Sequence, residues 1–169
     1  MHLPRVPFYG EHVPGRLEWV LLAYRIPREP STPRISVWRK LRRLGTAQLG
    51  DGLVALPNDA RTKEQLEWIA DEVLEAGGEA TLWVARAGSA GQERGLAAAM
   101  AEAVAEEYRA VIEAADSARG ESGSAQGRIA ARLRRDLHRI AQRDHFPPPD
   151  RERAHRAVER LAAGVEASR

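Results

Sequence analysis

The sequence predicts an α+β fold, a small antiparallel sheet with two helices on one face, followed by an extension of about three helices. Three observations carry this. Residues 17–26 (LEWVLLAYRI) and 80–87 (ATLWVARA) are nearly continuous apolar runs of strand length. Between them lie two amphipathic stretches at helical spacing, separated by a Gly-Asp-Gly turn signal. Beyond residue 92, apolar residues recur at a spacing of about 3.6 in three successive segments.

Residues 1–16 contain Pro4, Pro7, Pro14, Gly10 and Gly15, which predicts an extended arm. The 17–26 run suits a strand that is central in its sheet or covered on both faces, and Pro27 and Pro30 end it. Thr32 followed by Pro33 suits an N-cap and first helical position. Val37, Trp38, Leu41 and Leu44 then recur at helical spacing, and Gly45 suits the C-cap. The 47–56 stretch, interrupted by Gly50-Asp51-Gly52, predicts a hairpin or a bulged strand. Thr62-x-x-Gln65 has the pattern of a capping box. Leu66, Ile69, Ala70, Val73 and Leu74 form the apolar face of that second helix, and Gly77-Gly78 stops it. With the 80–87 strand the order is β-α-β-β-α-β, the ferredoxin-like arrangement, spanning residues 17–88.

The helical extension occupies residues 92–169. Leu96, Met100, Val104, Tyr108, Val111 and Ala115 make its first stripe. Residues 120–127 (GESGSAQG) read as a loop. Ile129, Leu133, Leu137 and Ile140 make the second stripe, ending before the triplet Pro147-Pro148-Pro149. Residues 150–165 read as a last helix with Ala154, Val158 and Leu161 on one side.

A chain of 169 residues with 43% apolar content suffices for one domain, or for one small domain with a helical extension. No run approaches 18 consecutive apolar residues, and the first residues lack the continuous apolar stretch of a secretory signal. The cysteine count of zero excludes disulfides and thiolate metal sites. A cytoplasmic protein, not membrane-bound, is expected. The net charge of +2 hides a segregation. Residues 25–45 carry +6, residues 46–118 carry −9 and residues 119–169 carry +5. Two basic blocks flanking an acidic one are more informative than the total.

The first basic block places Arg39, Lys40, Arg42 and Arg43 on the first helix. Such a cluster can contact phosphates through counterion release, or can be the solvated outer face of an amphipathic helix. The second block is sharper. Arg128, Arg132, Arg135, Arg139 and Arg143 fall within roughly 80° of one another at 100° per residue. Nucleic acid or an acidic partner is one reading. An ion-pair seam with Glu102, Glu106 and Glu113 of the preceding helix is the other, and it weakens if the apolar faces of the two helices pack together.

Trp68 lies opposite the apolar face of its helix. It is either an exposed interface anchor or, as expected here, is covered by the C-terminal helices. His138 and His145 are two turns apart around Asp144, too thin a set for a metal site, and no metal or cofactor is expected. Ser31, Ser36 and Thr46 have no neighbouring histidine to activate them. The glycines at 88, 91 and 95 do not have the spacing of a phosphate loop. These absences argue against an enzyme.

Three strings taken together resemble the N-terminal domain of the ChrB family, chromate-resistance regulators of bacteria. They are LLAYRIPREPSTPRISVWRKLRRLG, LGDGLVALP and TKEQLEWIADEVLEAGGEATLWVAR. RDHFPPP at 143–149 resembles the end of that domain, so the resemblance covers about residues 17–161. It implies a chromate-responsive transcriptional regulator, associated with a chromate efflux transporter, that binds promoter DNA through this region. Full-length members also carry a C-terminal domain linked to chromate sensing. The expectation is that this chain lacks it, so that a separate sensor-domain protein becomes a candidate partner.

The RKLRRLG…LGDGLVALP segment is also similar to the middle domain of PaaX-type repressors, which in turn resembles small ferredoxin-like CRISPR nucleases. Those nucleases place a metal-binding Asp in a Tyr-Asp-Ile setting. Here the residues are Tyr24, Arg25 and Ile26, and the cation argues against nuclease activity.

No helix-turn-helix with its own wing is evident, so any DNA contact falls to the arginine-bearing helices and mostly to phosphates. The expected function is a DNA-binding regulator that contacts double-stranded DNA through Arg39, Lys40, Arg42, Arg43, Arg128, Arg132, Arg135, Arg139 and Arg143. A homodimer is one way to gain operator specificity. The alternative is a non-enzymatic protein-interaction module, half of a split regulator, without DNA affinity of its own.

Overall fold

The computed structural model describes residues 16–167, with side chains to Gly164. The arm expected over residues 1–16 lies, apart from Arg16, outside the described residues. The elements run β1 (Trp19–Arg25), α1 (Ser31–Leu44), β2 (Ala47–Gly50), β3 (Leu53–Pro57), α2 (Ala60–Glu75), β4 (Glu79–Ala85), α3 (Ala90–Ser117), α4 (Gly123–Ala141) and α5 (Asp150–Ala167). A 3-10 turn over Ala118–Gly120 follows α3.

The sheet has four antiparallel strands in the order β2-β3-β1-β4. β1 is interior, which explains its long apolar run. Leu22 sits across from Val54 on one side and Leu82 on the other, and Val20 sits between Leu56 and Val84. Alternation puts Val20, Leu22, Val54 and Leu56 on one face. They share one core with Val37 and Leu41 of α1 and with Leu66, Ile69, Ala70 and Val73 of α2. Burying side chains of this size stabilises by about 1.5–3 kcal/mol each.

The opposite face carries Trp19, Leu21 and Ala55. The start of α3 crosses it, so that Leu96 and Ala99 border a groove with these three residues. Phe146 packs on Trp19 with ring centroids 5.8 Å apart. α3 then leaves the sheet. Met100 still belongs to the sheet core, whereas Val104, Tyr108, Val111 and Ala115 join a second core. That core adds Leu133, Leu137 and Ile140 of α4 and Ala154, Val158 and Leu161 of α5.

Several boundaries differ from the sequence reading. α1 begins at Ser31 behind Pro30, so Thr32 lies in the first turn and is not its N-cap. Gly45 is the C-cap, at φ +69°, a left-handed conformation that costs glycine little. β2 and β3 form a hairpin with a register shift between Gln48 and Gly50, which combines the two readings of that segment. In α2 the N-cap is Asp59. Its carboxylate accepts from the Thr62 amide at 2.8 Å, and the Thr62 hydroxyl accepts from the Asp59 amide at 3.0 Å. Thr62 therefore closes the capping box from its third position, because the Asp three residues earlier takes the cap.

Leu74, assigned to the apolar face of α2, is exposed. It lies about 80° round the helix from Leu66, beyond the strip that meets the sheet. α4 starts at Gly123, inside the segment read as a loop, with Ser122 in extended geometry before it. It ends at Ala141, so Arg143 lies past the helix. No helix among the described residues is long and apolar enough to cross a membrane.

Candidate functional site

Burial of Val37 and Leu41 fixes the rotation of α1. Trp38, Arg39, Arg42 and Arg43 consequently project away from the sheet core and are exposed. The Arg42 guanidinium carbon lies 5.1 Å from the centroid of the Trp38 ring, a cation–π contact. Trp38 keeps 54% of its surface open.

Lys40 leaves this group. It forms an ion pair with Glu72 of α2, and the same carboxylate accepts from the Ser36 hydroxyl at 2.7 Å. Partial burial pushes the Glu72 carboxyl up, but the bonds from Lys40 and Ser36 outweigh it and hold its pKa below the ordinary value.

The second basic block comes to the same place from the other side. Arg143, just beyond α4, makes a two-pronged ion pair with Glu107 of α3, its Nε lying 2.9 Å from Oε1. It also donates to the Arg139 carbonyl at 3.1 Å. Arg139 is exposed and pairs with Asp136 of its own helix. Between α1, α3 and the end of α4 lies a cleft of about 950 Å³, walled by Trp38, Arg39, Arg42 and Arg43 on one side and by Arg139, Gln142 and Arg143 on the other. Glu106 and Glu107 form the α3 wall.

Arg139 also borders a shallow depression with Arg132 and Arg135, which continues the basic surface along α4. Arg128 is exposed one turn farther out and lines neither hollow. Among the described residues, Arg39, Arg43, Arg128, Arg132 and Arg135 make no ion pair.

The seam between α3 and α4 is not built as one sequence reading had it. Their apolar faces pack together. Glu102 pairs with Arg109 of its own helix, and Glu107, not Glu102, Glu106 or Glu113, reaches a member of the arginine stripe.

The cleft depends on the turn at residues 143–146, whose importance the sequence reading missed. The Asp144 carboxylate is fully buried; its Oδ2 accepts from the Tyr108 hydroxyl at 2.9 Å and lies 3.7 Å from Arg151. Its Oδ1 has no hydrogen-bond partner among the described residues. Burial first, and the bond to Asp144 second, push the Tyr108 hydroxyl pKa well above its ordinary value. His145 Nε2 lies 2.8 Å from the Leu44 carbonyl. A Cβ on Gly45 would stand 2.7 Å from both the Cβ and the carbonyl oxygen of Arg143. This turn therefore docks on the C-terminal end of α1 and brings the two basic segments together. His138 and His145 part company, since His138 faces the Gln142 amide at 3.4 Å.

Trp68 is 65% exposed, not covered by the C-terminal helices as expected. The reason is the path of α3, which crosses the sheet face opposite α1 and α2 and leaves the outer side of α2 open. Trp83 on the edge strand β4 is 60% exposed. The sequence reading also groups Trp38 with the apolar stripe of α1, whereas the structure leaves it exposed at the cleft. Its position 100° from Val37 was the available signal.

A family model described as "Protein ChrB, N-terminal" matches residues 34–121. A relative named "Protein ChrB" from Cupriavidus metallidurans is 28% identical over 131 residues. The alignment covers 76% of this chain and 40% of the relative, so the chain spans about two fifths of that protein's length. No solved structure matches the chain.

Proposed function

This chain belongs to the ChrB N-terminal family, and on that premise we propose that it is a DNA-binding transcriptional regulator linked to chromate resistance, acting in the cytoplasm. One observation carries the proposal. Basic residues about a hundred positions apart in sequence, Arg39, Arg42 and Arg43 with Arg139 and Arg143, wall a single cleft. Arg132 and Arg135 extend its charge along α4. Arginines gathered in this way, although Glu106, Glu107 and Asp136 lie among them, suit the backbone of double-stranded DNA, where each phosphate contact releases counterions.

We read the core as ferredoxin-like, supported by the β-α-β-β-α-β order and the strand order β2-β3-β1-β4. Phosphate contacts alone position a protein without reading sequence. Arg39 and Arg43, which have no acidic partner among the described residues, are the side chains best placed for those phosphates, and a homodimer would add specificity through the spacing of two half-sites.

The test is a fluorescence-anisotropy titration against duplex DNA from upstream of the protein's own coding region, with a scrambled duplex as control. Tighter binding to the native duplex at moderate salt is the expected result. Equal, weak binding to both that vanishes with salt defeats the regulator reading. The second reading is a protein-interaction module that works with a separate sensor-domain protein. Exposed Trp68 and Trp83 favour it, since large aromatics are common interface anchors. A complex with such a partner, together with no DNA affinity, is the outcome that selects it.

A further inference from the structure

The cleft contains more than charge. Trp38 is half-open at its wall, with Arg42 stacked over the indole and Arg39 and Arg43 beside it. An arrangement that only neutralises duplex phosphates has no use for an exposed indole, because in a duplex the base faces are stacked on one another. A large aromatic face beside arginines that make no ion pair among the described residues is instead the chemistry that holds an unstacked base, with cations left for the phosphates on either side.

The volume agrees, since about 950 Å³ lies within the range of ligand-sized sites and far exceeds what one base fills. The walls supply further chemistry. Arg143 neutralises Glu107, so that carboxylate does not repel an incoming phosphate. Glu106, which makes no ion pair among the described residues, offers an acceptor to the exocyclic amino group of a base.

We propose that the cleft between α1, α3 and α4 binds single-stranded or locally unpaired nucleic acid, with Trp38 and its stacked Arg42 as the platform for one base and Arg39, Arg43 and Arg139 as its phosphate contacts. This rests on the nucleic-acid reading of the same cleft and deepens it. A protein bound along a duplex through its arginines would also hold a base exposed by melting or distortion. The class of substrate it prefers is therefore nucleic acid with at least one unstacked nucleotide.

The experiment is an anisotropy titration of the full chain with a labelled ten-nucleotide single strand, with the matching duplex, and with the same duplex carrying one unpaired base. The native protein is compared with Trp38→Leu and Trp38→Phe. Trp38 is exposed, so both variants keep the helical circular-dichroism signal. Trp38→Leu is expected to weaken single-strand and bulged-duplex binding by roughly 5- to 160-fold, the range that loss of one base–aromatic stack corresponds to. Trp38→Phe should recover part of it, and matched-duplex affinity should stay within about twofold.

A second readout needs no change at this position. In a Trp68→Phe, Trp83→Phe protein, binding of the single strand should quench the emission of exposed Trp38 while buried Trp19 stays bright. Duplex binding that is unaffected by Trp38, with no preference for an unpaired base and no quenching, overturns the stacking proposal and leaves the regulator reading intact. Absence of binding to all three oligonucleotides overturns both.

Discussion

Replacing Arg39 and Arg43 together with alanine separates a cleft from a merely basic helix. Both side chains line the cleft and make no ion pair among the described residues, so each is available to displace a counterion from DNA. A phosphate contact contributes about 0.9 to the slope of log affinity against log salt, and two lost contacts flatten it by about 1.8. Across a fourfold change in salt, from about 50 to about 200 mM, the native protein should lose roughly twelvefold more affinity than the variant. The internal control is Lys40→Ala. Lys40 carries the same charge on the same helix, yet its ammonium is held by Glu72 on the side of α2. Its removal should leave the slope unchanged. Both proteins are titrated by anisotropy at five or more salt concentrations, with circular dichroism to confirm folding. An unchanged slope in the Arg39→Ala/Arg43→Ala protein, or an equal change with Lys40→Ala, refutes the argument from the cleft.

Further tests address the turn and the acidic tie. Tyr108→Phe removes a hydrogen bond to a fully buried carboxylate whose other oxygen has none among the described residues, so chemical denaturation should show a loss of about 1.5–3 kcal/mol. Because folding raises the Tyr108 pKa, its contribution is present below about pH 10 and is lost as pH rises through the folded value; Tyr108→Phe should flatten that alkaline decline. Folding lowers the Glu72 pKa, so its contribution is present above the unfolded value near 4.5 and is lost as pH falls through the folded one. Glu72→Gln should flatten the acid limb of a melting-temperature profile. Gly45→Ala forces a side chain into left-handed backbone against the Arg143 carbonyl, and should lower stability by at least about 1–2 kcal/mol and weaken DNA binding with it. Gly50→Ala meets nothing within 4 Å and serves as the neutral comparison.

The elements of the sheet and the apolar stripes of the helices were readable from periodicity, because burial imposes periods of 2 and 3.6 directly on the residues. Gly45 was readable as a cap for the same local reason. What failed was decided by contacts distant in sequence. The split between Lys40 and its arginine neighbours depends on where Glu72 lies, and Glu72 is on another helix. The exposure of Trp68 depends on which sheet face α3 crosses, and the residues around the end of β4 do not encode that choice in any pattern. Both basic blocks of the candidate site were visible as charge. That they face one cleft was not, because the turn joining them is held by His145 on the Leu44 carbonyl and by Asp144 on Tyr108, pairs without a local signature.

The contact between Trp19 and Phe146 has a consequence for how the chain is made. β1 leaves the ribosome early, and the indole that must be buried against Phe146 leaves with it. At 5–20 residues per second, the wait for residue 146 is roughly 6–25 s. Once the start of α3 has been made it covers part of this face, and only the side of Trp19 that meets Phe146 stays open through the rest of the interval. A chain that stops before residue 146 lacks the Phe146 ring, and that side of Trp19 stays open. The turn that closes the cleft, made late, therefore also completes the cover of the strand made first.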